Sequence, residues 1–328
     1  MNKIIAEIGS VHDGSFGNAC KLIEAAAACG ADAVKFQTHI AAAETLRDAP
    51  APPYFKGESR FAYFTRTAFT VEQHRALAKR CADSGVEFLS SPFSLEAVDL
   101  LEEAGVSAYK IPSGEVTNLP LIERVAATGK PVFLSSGMSD WAELDAAVAV
   151  LSGGGPLTVL QCTSLYPCPP ERVGLNVIAE MRDRWGVPVG FSDHTLGAAA
   201  AFAAAALGAS VVEKHFTFSR RMYGSDAAHS MEPDEFRIFC KGLRDIWTMT
   251  ANPIDKDDLA PCRDMKPIFE KSIVTACPVA AGTVLTREML AFKKPGDGIS
   301  AALYRDVIGK KVVRDLPADH MLQTADLA

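Results

Sequence analysis

Along the first 250 residues one pattern of apolar and polar positions keeps returning. A glycine closes a segment of helical spacing, a short apolar run follows, and a polar residue ends the run. It reads Gly30-Ala-Asp-Ala-Val-Lys35, Gly85-Val-Glu-Phe-Leu-Ser90, Gly105-Val-Ser-Ala-Tyr-Lys110, Gly129-Lys-Pro-Val-Phe-Leu-Ser135, Gly186-Val-Pro-Val-Gly-Phe-Ser192 and Gly208-Ala-Ser-Val-Val-Glu-Lys214. Ile4–Ile8 and Leu157–Gln161 bring the set to eight apolar strands. Between them, Ala19–Cys29, Val71–Ser84 and Ala142–Leu151 place apolar residues at helical spacing, with Ser94 and Ser139 read as helix N-caps. Strand–helix alternation implies a parallel sheet with right-handed crossovers. Eight units in about 250 residues is the count of an α/β (β/α)8 TIM barrel. An open doubly wound sheet would ordinarily begin with a glycine-rich turn, and Gly9-Ser-Val-His-Asp-Gly14 is not G-x-G-x-x-G.

Two segments depart from the pattern. Residues 40–66, with Pro50, Pro52 and Pro53, are expected to form a long loop at the C-terminal side of the barrel, where loops carry function. Residues 249–270 are polar and read as a linker, which makes residues 1–248 the barrel. From residue 271 to 328 the character changes: Ser272–Cys277, Leu290–Lys293 and Lys311–Val313 read as short strands, with turns at Ala281-Gly282 and Pro295-Gly296-Asp297-Gly298. A unit this small is expected to pack against something larger.

Composition narrows the partners. A formal net charge of −7 argues against nucleic acid, and no apolar stretch reaches the length a bilayer needs. The start of the chain does not read as a secretory signal. The eight cysteines lack metal-like spacing and are expected to be buried free thiols, so a cytoplasmic location is expected.

In such a barrel catalysis sits where the strands end. The ends offer Glu7 with His12-Asp13, Lys35 and Gln37, Ser90-Ser91, Lys110 with Ser113 and Glu115, and Ser135-Ser136. The later strands add Gln161, Thr163, Ser164 and Tyr166, then Ser192-Asp193-His194, then Glu213-Lys214-His215. Lysines and hydroxyls converging on one rim suit a phosphate or carboxylate. His194 and His215, ending neighbouring strands, suit a divalent metal, although each alone reads as well as a hydrogen-bonded core histidine. Lys214 reads equally as the partner of Glu7, Glu115 or Glu213, whereas Lys35 and Lys110 are the better anion contacts.

At these residues the chain resembles the sialic acid synthase family, which includes the N-acetylneuraminate, legionaminate and pseudaminate synthases. The resemblance is carried by Ala6-Glu-Ile-Gly9 with His12-x-Gly14, Val34-Lys-x-Gln-Thr38, Ser91-Pro-Phe93 and Lys110-Ile-x-Ser-Gly-Glu115. It continues through Ser135-Ser-Gly-Met138, Gln161-Cys-Thr163 with Tyr166-Pro167, Gly190-Phe-Ser-Asp-His194, Glu213-Lys-His-Phe-Thr217 and Gly224-Ser-Asp226. The tail around Ser272 and Lys294-Pro-Gly296 is similar to the family's antifreeze-like (SAF) domain.

The resemblance implies condensation of phosphoenolpyruvate with an N-acyl hexosamine to a nine-carbon sugar acid, with release of phosphate. It implies a divalent cation, usually manganese, on His194 and His215, with magnesium and cobalt as alternatives. Phosphoenolpyruvate would be held by Lys35, Lys110, Ser91, Ser113, Ser135, Ser164 and Ser192, and the sugar by Gln37, Tyr166, Asp226 and Lys294. Glu115 is expected to activate water, with Asp13 as second candidate. A domain-swapped homodimer is implied. The chain departs from the family pattern at Val11, Asp13, Ser91 and Ser164, and most at Lys294, where the family presents an arginine to the acyl group; lysine lacks the planar fork. A 2,4-diacetamido-2,4,6-trideoxyhexose is therefore an acceptor to set beside N-acetylmannosamine. Condensation onto another aldose and a non-catalytic binding barrel are the alternatives.

Overall fold

The computed structural model describes residues 2–50 and 57–328. Eight parallel strands close into a barrel in chain order: β1 (Lys3–Gly9), β2 (Ala33–Thr38), β3 (Glu87–Pro92), β4 (Ala108–Ile111), β5 (Val132–Ser135), β6 (Leu157–Cys162), β7 (Val189–Asp193) and β8 (Val211–His215). The expected TIM barrel is therefore observed. Helices α1 (Phe16–Cys29), α2 (Ala41–Glu44), α3 (Arg60–Thr67), α4 (Val71–Asp83), α5 (Leu95–Ala104), α6 (Leu119–Ala126), α7 (Trp141–Leu151), α8 (Val177–Trp185), α9 (Ala199–Ala206) and α10 (Pro233–Ala251) join and flank the strands.

Local signals set the helix ends. Ser94 caps α5 by accepting from the Ala97 amide. Asp140, not Ser139, caps α7: its carboxylate accepts from Glu143 N while Glu143 accepts from Asp140 N, a reciprocal box that an Asp-x-x-Glu spacing makes stronger than a lone serine. The segment 40–66 is more ordered than a loop over its described part. It holds α2 and α3, with α3 capped by Ser59, and Ala41, Tyr63 and Phe64 form a small apolar cluster. Pro52 and Pro53 lie outside the described residues.

Side chains alternate across each strand, so parity divides the barrel. Ile5, Ala33, Leu89, Ala108, Phe133, Leu160 and Val211 fill the interior as one apolar layer. Two residues further along, the same faces carry Glu7, Lys35, Ser91, Lys110, Ser135, Cys162 and Glu213. Gly190 belongs to the apolar layer; a Cβ there would collide with Leu160 Cδ2 and Val211 O, so β7 contributes space rather than volume. The opposite parity faces the helices. Asp193 and Lys214, opposed in the β7–β8 register, form a buried pair at 2.8 Å, and the Lys214 ammonium also donates to Thr195 O. Lys214 is thus structural, and its partner is Asp193 rather than Glu7, Glu115 or Glu213.

The chain divides into two compact units, one ending at Asn252 and one running Pro253–Ala328. Residues 249–251, expected in the linker, continue α10. The second unit pairs β9 (Ser272–Thr275) with β10 (Leu290–Lys293) antiparallel over a core of Ile273, Val279, Leu285, Leu290, Val307, Val312, Leu316 and Leu322. Lys311–Val313, expected as a strand, makes only the isolated bridges Val284–Lys311 and Val312–Leu327. Asp326 is buried beneath it, accepting from Gln323 N, Arg314 and His320. Burial alone would raise its carboxyl; these donors outweigh it and hold it at about 2. Two of the eight cysteines, Cys262 and Cys277, are exposed, contrary to expectation, because each lies in the second unit, where less of the chain is covered. Among the described residues no helix is long and apolar enough to cross a membrane.

Two stability predictions follow from these pairs. Asp193→Ala strands the buried Lys214 ammonium and should cost about 3 kcal/mol in chemical denaturation, whereas a compensating Asp193→Ala/Lys214→Met double variant should recover much of it. At Asp326 the folded pKa lies below the ordinary 3.8, so its contribution is present above that value and lost as pH falls toward about 2. Amides of residues 272–327 should lose hydrogen-exchange protection across that interval, and Asp326→Asn should flatten the dependence.

Candidate active site

At the C-terminal ends of the strands the barrel opens into a cavity of about 520 Å³. Lys35, Gln37, Lys110, Ser113, Glu115, Ser135, Ser164, Tyr166, Ser192, His194, His215 and Asp226 all line it. Ser91 does not, but its hydroxyl accepts from the Lys35 ammonium at 3.2 Å. Asp13 does not line it either: at φ +51° it pairs with Arg66 at 2.8 Å, and Arg66 also binds Glu58 and lies over the Tyr63 and Tyr223 rings. Lys294 lies in the second unit, its ammonium 4.6 Å from the centre of the Phe269 ring.

Four charges occupy the inner end of the cavity. Lys35 stands 3.0 Å from Glu7 and 3.7 Å from Glu213, and Lys110 stands 3.6 Å from Glu213, all four almost wholly buried. Burial pushes the Glu7 carboxyl up, with Lys35 opposing it; at Glu213 the two lysines outweigh burial and hold the group at about 2. Burial also brings Lys110 below its ordinary value, while at Lys35 the two glutamates outweigh burial and raise it. Ser192 donates to Glu213 Oε1 at 3.1 Å. Even so, Glu213 Oε2 and Ser135 Oγ are buried with no hydrogen-bond partner, so the site has polar capacity that the protein does not fill, whereas Glu7 Oε2 is taken by the Lys35 ammonium.

Two glycines make room for the convergence. Gly9 ends β1 at φ +52°, and a Cβ there would stand 2.6 Å from Asp226 Oδ2 and 3.3 Å from Gln37 Nε2. Its absence leaves room for both side chains, and Gln37 Nε2 donates to Glu7 Oε1 at 2.7 Å. A Cβ at Gly137 would lie 2.7 Å from Ser113 Oγ and closer still to Ser164 Oγ, so these hydroxyls gather around bare backbone. The Gly137 amide donates to Ser113 Oγ at 2.9 Å.

His194 and His215 face each other with ring centres 5.5 Å apart. His194 Nδ1 contacts Thr163 O at 2.9 Å, which turns Nε2 toward the Tyr166 hydroxyl at 3.2 Å. Burial takes His215 down to about 4, so its lone pair is free at neutral pH. Cys162, 3.8 Å from His194 Nδ1, would be raised by burial but is brought to about 7 by His194 and Lys110, and the pairing lifts His194 against its own burial. Glu115 is half-buried; burial raises it, and Asn118 donates to it at 2.8 Å.

Glu213, Cys162, His39, Glu44 and Arg60 also line the cavity without having been assigned to it from the sequence. Parity alone would have found Glu213, which shares a face with His215 across Lys214, and Cys162, which shares one with Leu160. Glu44 and Arg60 fall in the segment 40–66 that was expected to carry function but were not singled out within it, and His39, just before it, has no strand periodicity to mark it.

The fold, with polar side chains gathered where the strands end, is that of a barrel enzyme, and likeness to known proteins gives its class as a synthase. The chain belongs to the NeuB family: the family model matches residues 22–255, and a SAF domain matches residues 270–328. It is 36% identical to the N,N'-diacetyllegionaminic acid synthase of Campylobacter jejuni over 98% of each chain. It is 33% identical to the human N-acetylneuraminate-9-phosphate synthase, covering 96% of this chain and 90% of that one. Among solved structures, an N-acetylneuraminic acid synthetase of Leptospira borgpetersenii superposes with a TM-score of 0.71 at 28% identity, over 80% of this chain and 90% of that one.

Gly9→Ala tests the convergence. The side chain would both strain a left-handed residue and displace Asp226, so we expect a loss of about 1–2 kcal/mol in stability and at least tenfold in activity. Wild-type activity in the folded variant would refute the crowding described here.

Proposed function

We propose that the enzyme condenses phosphoenolpyruvate with an N-acyl hexosamine to a nine-carbon, sialic-acid-type sugar acid, releasing phosphate. The observation that carries this reading is the single cavity in which two buried lysines, a group of serine hydroxyls and two facing histidines meet with unfilled polar capacity. The relatives named above, synthases of acids of this class, support it. The acceptor is a 2,4-diacetamido-2,4,6-trideoxyhexose or N-acetylmannosamine, and the higher identity to the legionaminic acid synthase favours the former.

In this reading Lys35 and Lys110 hold the carboxylate and phosphate of phosphoenolpyruvate, with Ser113, Ser135, Ser164 and Ser192 donating to its oxygens and Ser91 steadying Lys35. Gln37, Tyr166 and Asp226 orient the sugar so that its aldehyde meets the enol carbon C3, an entropic contribution worth as much as any proton transfer. The C2=C3 electron pair forms the bond to the aldehyde carbon, whose oxygen takes up a proton. Water adds at C2, and the C2–O bond to phosphate breaks with its electron pair leaving on phosphate as the C2 hydroxyl loses its proton to become the ketone. Glu115 takes the proton from that water; its raised pKa makes it the stronger base, and Asp13, tied to Arg66, is left a structural role.

No three His, Cys, Asp or Glu side chains form a ready metal cluster among the described residues. Even so, two facing imidazoles beside hard oxygen groups fit a divalent cation that keeps positions open for substrate and water. His194 and His215 would hold it as neutral imidazoles. Manganese is the cation this reading takes, ahead of magnesium and cobalt; when bound it polarises the sugar aldehyde. The domain-swapped homodimer, with Lys294 serving the sugar's acyl group, and a cytoplasmic location belong to the same proposal.

Phosphate release from phosphoenolpyruvate, measured with manganese against both acceptors, tests the reading. We expect release that depends on the sugar, is abolished by a chelator and falls at least a hundredfold in His215→Ala. Glu115→Gln should lower kcat by about 10²–10⁴, and Lys110→Met should raise the KM of phosphoenolpyruvate more than tenfold. Absence of release with any N-acyl hexosamine from the folded, metal-loaded enzyme would refute the reading.

A further inference from the structure

The wall of the cavity on the β2 side carries a feature that the reaction above does not use. His39, one residue past the end of β2, is buried between two aromatic rings, with ring centres 3.6 Å from Phe64 and 4.1 Å from Phe93. Its Nδ1 faces both carboxylate oxygens of Glu44, at 2.8 and 3.0 Å, and its Nε2 faces Gln37 Oε1 at 3.1 Å. Gln37 in turn reaches Glu7, and Glu7 reaches Lys35. A continuous polar chain therefore runs from α2 to the inner charges of the barrel.

Donor accounting fixes its direction. Glu7 is ion-paired to Lys35 and accepts, so the Gln37 atom 2.7 Å from Glu7 Oε1 is the NH2. The Gln37 carbonyl is then left facing His39, and a carbonyl only accepts, so His39 Nε2 donates. With Nε2 donating, the contact of Nδ1 with the carboxylate requires a second proton between them; burial of the ring disfavours that proton and Glu44 favours it. An unconstrained glutamine amide turns over at little cost; here both ends are specified, and Glu44 and the two rings hold the specifying imidazole.

We propose that His39 is a positioning residue for the acceptor sugar: clamped by Glu44 between Phe64 and Phe93, it fixes the Gln37 amide with its NH2 on Glu7 and so sets how the sugar side of the cavity binds. Its kinetic consequence rests on the reaction proposed above. The phosphoenolpyruvate side, built from Lys35, Lys110 and the serines, touches neither His39 nor Glu44.

His39→Phe keeps the aromatic stack and removes both hydrogen bonds. The expected result is a rise of at least tenfold in the KM of the acceptor sugar, with kcat and the KM of phosphoenolpyruvate within threefold of wild type. Glu44→Ala should reproduce this split. Glu44→Gln, whose amide still holds Nδ1 while Nε2 keeps its proton, should restore the acceptor KM to within threefold. An unchanged acceptor KM, or an equal rise for both substrates, would overturn the proposal, since general loosening of the wall would not distinguish them. A second readout needs no turnover: the side-chain NH2 of Gln37, observed by ¹⁵N NMR, should exchange slowly in wild type and at least tenfold faster in His39→Phe. If wild type turns over no N-acyl hexosamine, the reaction falls and this amide alone decides; unaltered exchange in His39→Phe would then refute the positioning role.

Discussion

Lysines and glutamates packed at the inner end of a barrel have almost no water to share their charge, and isolated burial of any one would be prohibitive. Glu7, Lys35, Lys110 and Glu213 tolerate it because they come from β1, β2, β4 and β8 and neutralise one another at 3.0–3.7 Å. The arrangement is balanced but not saturated: Glu7 is closely paired with Lys35, whereas the contacts of Glu213 with both lysines are longer, and Glu213 Oε2 and the Ser135 hydroxyl have no hydrogen-bond partner.

Everything around this group follows from keeping it in place. The apolar layer beneath, from Ile5 to Val211, seals one side and leaves no room for the lysine stems to retreat. Outside the strands, Asp193 and Lys214 answer the same burial problem with a tight pair that binds β7 to β8, so of two adjacent positions on one strand Lys214 goes to that pair and His215 to the cavity. Gly9 and Gly137 contribute by absence, each leaving space that two polar side chains share. The polar chain from Glu44 through His39 and Gln37 extends the constraint outward, tying a helix beyond the sheet to the innermost carboxylate.

The amino-acid sequence by itself determined the eightfold repeat, because strand and helix periodicities are local and glycine marks helix ends whatever the surroundings. It also determined most of the cavity lining: in a parallel barrel every strand delivers its last inward residues to one rim, so reading strand ends is reading that rim. Ser94 was legible as a cap for the same local reason, and Ser139 misled only because Asp140, one residue on, offered the better reciprocal box with Glu143. Only the tertiary structure decided which charges pair. Lys214 and Lys35 look alike along the chain, yet opposite parity sends one to Asp193 and the other to Glu7. Asp13 looked like a base until Arg66, brought in by α3, claimed it. His39, Glu44 and Arg60 could not be singled out, although the last two lie in a segment expected to carry function, because segments between strands have no period to project; their place is set by packing across the barrel mouth, through contacts that no local rule encodes.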